Sequence, residues 1–278
     1  MLKFHQKAIG LLVLFSCFLK VSTVQGIQSS KAQQDNGIHR WLKDDPYSVL
    51  KFVQQYLPNN PIILEAGAFD GRETITMAKI WPLAKIHAFE PMPNNFDLLK
   101  QNTSQLKNVS IYKQALSDKE GNALFYVSEL ENKPGLPAGS GSLLAPKDHL
   151  THAPEILFPH QITVETTTID RWAKNHSIEA IDFMWLDMQG HELTALKHAT
   201  TILPTLRVVY LETIFVRGYE GQPLYDEVKK WMTDHGFRLL ALDFNEEEAL
   251  LGETLPKGRQ WFGNALFIRE DLIRMHTN

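Results

Sequence analysis

The chain has 278 residues, 44% of them hydrophobic and 22% charged, with a formal net charge of −4. That length and apolar content suffice for one large α/β domain or two small ones around a real core, and they exclude global disorder. The acidic balance, with no Lys/Arg cluster, argues against a nucleic-acid-binding surface, so no nucleic-acid partner is expected.

Lys3, His5 and Lys7 precede the apolar run Ala8–Leu19, and a polar stretch ending Ser22–Gly26 follows it. A basic start, an apolar run and small residues beyond are the layout of a secretory signal. The run is shorter than the about 20 residues of a spanning helix, and Lys20 interrupts it. Residues 1–26 therefore read as a signal peptide or a membrane anchor, with export or membrane association through residues 8–24 expected. The sole cysteine, Cys17, lies in this run, so the rest of the chain has neither a disulfide framework nor a thiolate zinc site. Losing residues 1–26 removes three lysines and no acid, leaving a charge of −7. Residues 27–45 are polar and aperiodic, a linker, and residues 46–278 form the folded domain. Asn102, Asn108 and Asn175 stand in N-x-S/T sequons, which matter only in a eukaryotic secretory pathway.

Val49, Leu50, Val53 and Leu57 have helical spacing and predict a covering helix over Pro46–Leu57. Strand and helix then take turns. Ile62–Gly67 is a strand, Arg72–Trp81 a helix, Lys85–Pro91 a strand, Asn94–Leu106 a helix capped by Asn94 or Asn95, and Val109–Leu116 a third strand. This alternation predicts an α/β fold with a mostly parallel sheet wrapped by helices. The rhythm breaks at Ala123–Glu129 and Gln161–Ile169, two strands separated by the Gly/Pro-rich stretches 132–146 and 151–160. So long a connection is either a functional lid or binding loop, or a plain hairpin insertion. The pattern resumes with a strand and helix over Ile181–Leu203, a strand at Arg207–Thr213 and a helix over Leu224–Gly236. Phe237–Phe244 and Gly263–Arg269 follow as strands with no helix expected between them, predicting an antiparallel C-terminal edge strand.

The stretch PIILEAGAFDGRET (Pro61–Thr74) places Gly67 and Gly71, with the acids Glu65, Asp70 and Glu73, at the end of the first strand. In an open parallel sheet ligands bind beyond the carboxyl ends of the strands, and Gly67 and Gly71 allow the backbone to turn and approach closely. Glu90, at the end of the next strand, has roughly the 20-residue spacing of a ribose-binding carboxylate. A glycine corner followed by a ribose acid reads as a site for a nucleoside-containing cofactor. The absent third glycine disfavours a dinucleotide. Carboxylates repel phosphate but attract an ammonium and a sulfonium, which is the charge pattern of S-adenosylmethionine (SAM).

The segments ILEAGAFDG (Ile63–Gly71), AFEP (Ala88–Pro91), TTIDRW (Thr167–Trp172), IDFMWLDMQGHE (Ile181–Glu192) and FGNALFIR (Phe262–Arg269) together resemble the FkbM family of SAM-dependent methyltransferases. The resemblance runs from about Pro61 to Arg269, and its most specific block is Asp-x-Gln-Gly-x-Glu at Asp187–Glu192. It implies a Rossmann-like methyltransferase fold, SAM as cofactor, and methyl transfer to oxygen on a sugar or small metabolite, hence a small-molecule or carbohydrate acceptor. Carried over by position, Glu65, Gly67, Ala68, Asp70 and Gly71 line the methionine end and Glu90 holds the ribose. Gln114 and Ala115 flank the adenine. Asp187 stands at the reaction centre, with Gln189, Gly190 and Glu192 shaping it. The chain departs from many relatives at Trp185, where lysine is common, and at His191.

Methyl transfer to a hydroxyl is an in-line displacement aided by a base that takes the acceptor's proton. If the helix has begun by Asp187, His191 shares its face, and His191 becomes the candidate base. Asp187 could otherwise cap that helix. Asp187, Glu212 and His191 could also supply ligands to Mg²⁺ or Mn²⁺, but without a tight spacing rule no metal is assigned. Arg217–Glu227 is expected as a substrate loop over the same edge. The alternative to an enzyme is an exported, non-catalytic nucleoside- or SAM-binding module of the same fold, because SAM is made in the cytosol.

Overall fold

The computed structural model describes residues 39–40, 48–243 and 261–276. The expected signal or anchor over residues 1–26 lies outside the described residues, as does most of the linker. In chain order the elements are β1 (His39–Arg40), α1 (Ser48–Val53), β2 (Ile62–Ala66), α2 (Arg72–Ile80), β3 (Lys85–Phe89), α3 (Pro93–Thr103) and β4 (Val109–Tyr112). Next come β5 (Ala115–Leu116), β6 (Gly121–Leu130), β7 (Lys133–Pro137), α4 (His149–His152), β8 (Ile156–Thr167) and α5 (Ile169–Asn175). The last are β9 (Phe183–Leu186), α6 (Glu192–Lys197), β10 (Val208–Ile214), α7 (Tyr225–Asp234), β11 (Phe237–Leu242), β12 (Phe262–Arg269) and α8 (Glu270–His276).

The main sheet has the order β1-β11-β12-β10-β9-β2-β3-β4. From β2 the chain steps outward through β3 to β4, then returns to place β9 and β10 on the other side of β2. The strand order therefore reverses between β2 and β9, which makes a crevice beyond their carboxyl ends. Every residue of β10 is buried, as a central parallel strand covered on both faces requires. One face packs Leu64, Phe89, Trp172, Met184 and Leu211 under α5, α6 and α7. The other packs Ile63, Ile86, Phe183 and Ile268 under α1, α2 and α8. Among the described residues no helix is long and apolar enough to cross a membrane.

The alternation expected from the sequence is present as a mixed α/β fold with a mostly parallel sheet. Several local expectations are corrected. β12 is antiparallel, as expected, but lies inside the sheet between β10 and β11. Its run Ala265–Ile268 is fully buried, and the interior position gives its backbone ladder partners on both sides. Whether a helix separates β11 from β12 falls on residues outside those described. Within the expected linker, His39–Arg40 pair parallel with β11.

Helix α3 begins at Pro93, with Met92 rather than an asparagine as its cap residue. Proline suits the first helical position and holds the residue before it extended. The third predicted strand divides at Lys113–Gln114: β4 stays in the main sheet, while β5 enters a second sheet ordered β5-β8-β6-β7. That second sheet is the insertion, dominated by the long antiparallel β6–β8 pair, with β7 and α4 between the two strands in the chain. Thr168 caps α5 by accepting a hydrogen bond from the Arg171 amide at 3.1 Å, and Asp170 accepts from Thr201 and Ile202 amides. The TTIDRW motif is thus a scaffold joint that fastens α5 to the turn after α6.

Candidate active site

The end of β2 is tied to both neighbouring strands. The amides of Gly67 and Ala68 donate to the Phe89 carbonyl at 3.0 and 2.9 Å, and the Asp187 amide donates to the Ala66 carbonyl at 2.9 Å. Gly67 has φ +83°, and a Cβ there would run into the Asp187 carbonyl. Only glycine lets these two backbones touch. Gly71, at φ +84°, answers a different demand: a side chain there would meet Leu99 of α3 at 2.8 Å. Glycine at 71 therefore lets α2 and α3 pack. Ala68 is fully buried. Asp70 is half-buried and pairs with Arg72, its carboxylate 3.0 Å from the Arg72 Nε.

Glu65 is buried and accepts a short hydrogen bond from the Thr74 hydroxyl. Burial pushes its carboxyl well above the usual carboxylate range, and the nearby Glu73 and Asp187 push it further. Glu90 is also buried. Its two oxygens accept from the Phe69 amide at 3.0 Å and the Met92 amide at 2.8 Å. Burial raises its pKa to about 7, against the lowering effect of those amides and of Asn95. With Asn95 also bonded to it, the carboxylate keeps acceptor capacity for a further donor.

The loop after β9 carries the densest chemistry. Carboxylate oxygens of Asp187, Glu192 and Glu212 lie within 4.8 Å of one another. Glu192 and Glu212 are buried, whereas Asp187 is packed round by protein yet open to solvent. It is the acid of the three that a ligand reaches first. Glu192 accepts from the Met188 and Gly190 amides at 2.7 and 3.2 Å, and burial raises its pKa to about 7. Glu212 is driven well above the carboxylate range by burial and then by Asp187, Glu192 and Asp243. Asp187 is raised by the crowding around it, which Gln189 partly offsets. The Gln189 amide joins the cluster, its Nε2 donating at 2.8 Å to both Asp187 Oδ1 and Glu212 Oε2. Three carboxylates this close either share protons or hold a divalent cation.

His191 stands outside that cluster. α6 begins at Glu192 with His191 as its cap residue, so Asp187 precedes the helix and neither caps it nor shares a helical face with His191. The pairing expected of the two is corrected accordingly. The His191 ring is buried, its Nε2 lies 3.0 Å from the Ser117 hydroxyl, and burial lowers its pKa to about 4. The structure also separates Gln114 from Ala115. Gln114 donates to Glu165 at 2.6 Å on the rim of a cleft of about 430 Å³ beside α5. Ala115 points the other way, into a small cluster with Met92, Phe125 and Val164.

Two participants escaped sequence reading. Glu73, in the first turn of α2, is pushed up by burial and then by Asp187 and Asp70. Its signal was an acid directly after the glycine corner. Tyr219, in the expected substrate loop, is fully buried; its hydroxyl donates to the Ser140 carbonyl at 2.7 Å and lies 3.2 Å from Gln189 Oε1. Nothing local in the sequence marks it, because its partners lie 79 and 30 residues away.

The charge and shape fit a cofactor with a cationic end. Glu65, Glu73 and Asp187 gather at the Gly67 corner, and Glu90 ends the adjacent strand. The family described as the methyltransferase FkbM domain matches residues 65–239, more than half of the chain. The 2-O-methyltransferase NoeI of Sinorhizobium fredii is 29% identical over 209 residues, which are 74% of this chain and 84% of NoeI. The methyltransferase sdnD of Sordaria araneosa is 26% identical over 203 residues, 65% of this chain and 75% of sdnD. A Streptococcus mutans methyltransferase solved in complex with SAH overlays with a TM-score of 0.44 at 14% identity, covering 82% of this chain and 99% of its own. With the Gly67 corner, Glu90 and the Asp187–Glu192 loop all inside the matched span, the chain belongs to the FkbM methyltransferase domain family.

Proposed function

We propose that this methyltransferase uses SAM and methylates a hydroxyl oxygen of a sugar or small metabolite. When bound, SAM supplies a methyl group activated by its sulfonium. The observation that carries the reading is the backbone contact between Gly67 and Asp187. It joins the corner suited to the cationic methionine end to the one solvent-open acid of the cluster. Glu65 and Glu73 offer carboxyl groups whose ionised form an ammonium and a sulfonium would favour, and Glu90 offers its remaining acceptor capacity to the ribose hydroxyls. Ala115 and Met92 supply an apolar wall for the adenine, while Gln114 serves the outer cleft.

Asp187 acts as the base on the acceptor hydroxyl. Burial raises its pKa above the usual carboxylate range, which makes it a stronger base than an ordinary surface aspartate. His191, with a lowered pKa and its ring engaged by Ser117, holds the shape of the loop. The relative NoeI, named a 2-O-methyltransferase, supports oxygen as the acceptor atom. The basic start and the apolar run Ala8–Leu19 support placement of the protein at a membrane, through residues 8–24, or its export.

Calorimetry of the full chain with SAM, SAH and NAD, followed by transfer of labelled methyl from SAM to a panel of glycans and hydroxylated metabolites, tests the reading. SAM and SAH should bind and NAD should not. Absence of SAM binding, or label appearing on nitrogen instead of oxygen, would overturn it.

A further inference from the structure

Three segments far apart in sequence converge on Gln189. Its backbone is held at φ +53°, a left-handed conformation unusual for a side-chain-bearing residue. The Ser142 hydroxyl, from the insertion, donates to its carbonyl at 2.9 Å. Its side-chain nitrogen spans Asp187 and Glu212, and its side-chain oxygen lies 3.2 Å from the Tyr219 hydroxyl. Tyr219 is itself gripped by the insertion. Its single hydroxyl proton is shared between the Ser140 carbonyl at 2.7 Å and Gln189 Oε1 at 3.2 Å, its residue bridges to Pro146, and its ring packs on His149 and Phe158 at 5.2 and 6.1 Å. Around it, the Lys147 and His149 amides donate to the Gly218 carbonyl at 2.9 Å, and the Glu220 amide donates to Ala145 at 2.8 Å.

We propose that Tyr219 is a positioning residue that holds the Gln189 amide between Asp187 and Glu212, and that it does so only while the second sheet is docked. The proposal rests on the reading of Asp187 as the reaction centre. A carboxamide can turn over with almost no change of shape, but the reversed amide would set its oxygen against two carboxylates. The acids therefore hold the nitrogen end, and Tyr219 holds the oxygen end. Both the tyrosine hydroxyl and the Gln189 carbonyl are anchored to serines of the insertion, Ser140 and Ser142. Seating of the insertion and alignment of the two acids are consequently one event.

The test uses full-length protein labelled with ¹⁵N-glutamine, with Gln189→Ala identifying the side-chain amide signal. In the wild type those protons, bonded to two carboxylates, should exchange slowly with solvent. Tyr219→Phe should speed that exchange about tenfold, the weight of one hydrogen bond, with SAM affinity within about twofold of wild type. Ser142→Ala should act in the same direction through the insertion, and decides alone if Tyr219→Phe does not fold. Unchanged Gln189 exchange in the folded variants overturns the proposal. So does a change spread over the whole spectrum together with loss of SAM binding, which would make Tyr219 a packing residue only. A wild-type chain that binds no SAM would instead sink the SAM reading, and would leave the amide comparison intact.

Discussion

Glu90 shows how a single carboxylate is set for its ligand. Its pKa of about 7 means that near neutrality the free protein holds it partly protonated. Ribose hydroxyls donate best to the ionised form, so SAM affinity should rise as pH climbs through about 7, with proton release on binding. Glu90→Gln should remove that pH dependence. Charge-assisted hydrogen bonds contribute about 1.5–3 kcal/mol, so affinity at pH 8 should fall roughly 10- to 150-fold in the variant, read by calorimetry at several pH values. At the reaction centre, Asp187→Asn should lower turnover about 10²- to 10⁴-fold with SAM binding retained. His191→Asn should cost much less, since its ring is engaged by Ser117. The reverse order of effects would return the base to His191.

At the scale of elements, the site depends on joints that carry no chemistry. The Thr168 cap of α5 supports Trp172, which packs edge-on against Phe89 at 5.0 Å, directly before Glu90. Thr168→Ala should destabilise the protein by about 1 kcal/mol in urea unfolding while leaving SAM affinity unchanged. Loss of SAM binding in that variant would show that the motif reaches the ligand. The helix after β9 was expected to carry Asp187 and His191 together. It starts late because Gln189 and Gly190, at φ +53° and +97°, break the helical path, and Glu192 accepts the Met188 and Gly190 amides. The sequence shows Asp-x-Gln-Gly-x-Glu clearly, but a helix start is set by where backbone amides find partners, and here a side chain four residues on supplies one.

Across the whole molecule, acids are gathered against their own repulsion. Glu65, Glu90, Glu192 and Glu212 all have raised pKa values, with Glu90 and Glu192 at about 7. Each keeps its proton in the folded state after the unfolded chain, near 4.5, has released it. Between about pH 4.5 and 7 the folded state binds more protons, so stability falls as pH rises through that window and stays lower above it. Below about pH 6.5 the buried neutral His87, His149 and His191, each lowered to about 4, act in the opposite sense, so the melting temperature of the ligand-free protein should drop from about pH 6.5 to pH 8, and Glu192→Gln should flatten the drop. A melting temperature that rises over that range would contradict the raised values. The N-terminal run sets a separate expectation for the cell: full-length tagged protein should fractionate with membranes or be exported. Recovery only as soluble, full-length cytosolic protein would remove that assignment.

The sequence by itself determined the alternating α/β rhythm, the glycine corner and the acids that end β2, β3 and β9, because periodicity and strand-end chemistry are local properties. It also carried the Asp187–Glu192 block, whose residue types are specific enough to read without coordinates. Only the tertiary structure decided that Gly67 faces the Asp187 carbonyl while Gly71 faces α3, and that Gln114 and Ala115 point apart. It alone inserted β12 between β10 and β11, and brought Glu212, Gln189 and Tyr219 together from three different segments. Those outcomes depend on which strands become neighbours, and strand order follows from burial summed over the entire sheet. A run of residues shows how a strand alternates, but not what stands beside it.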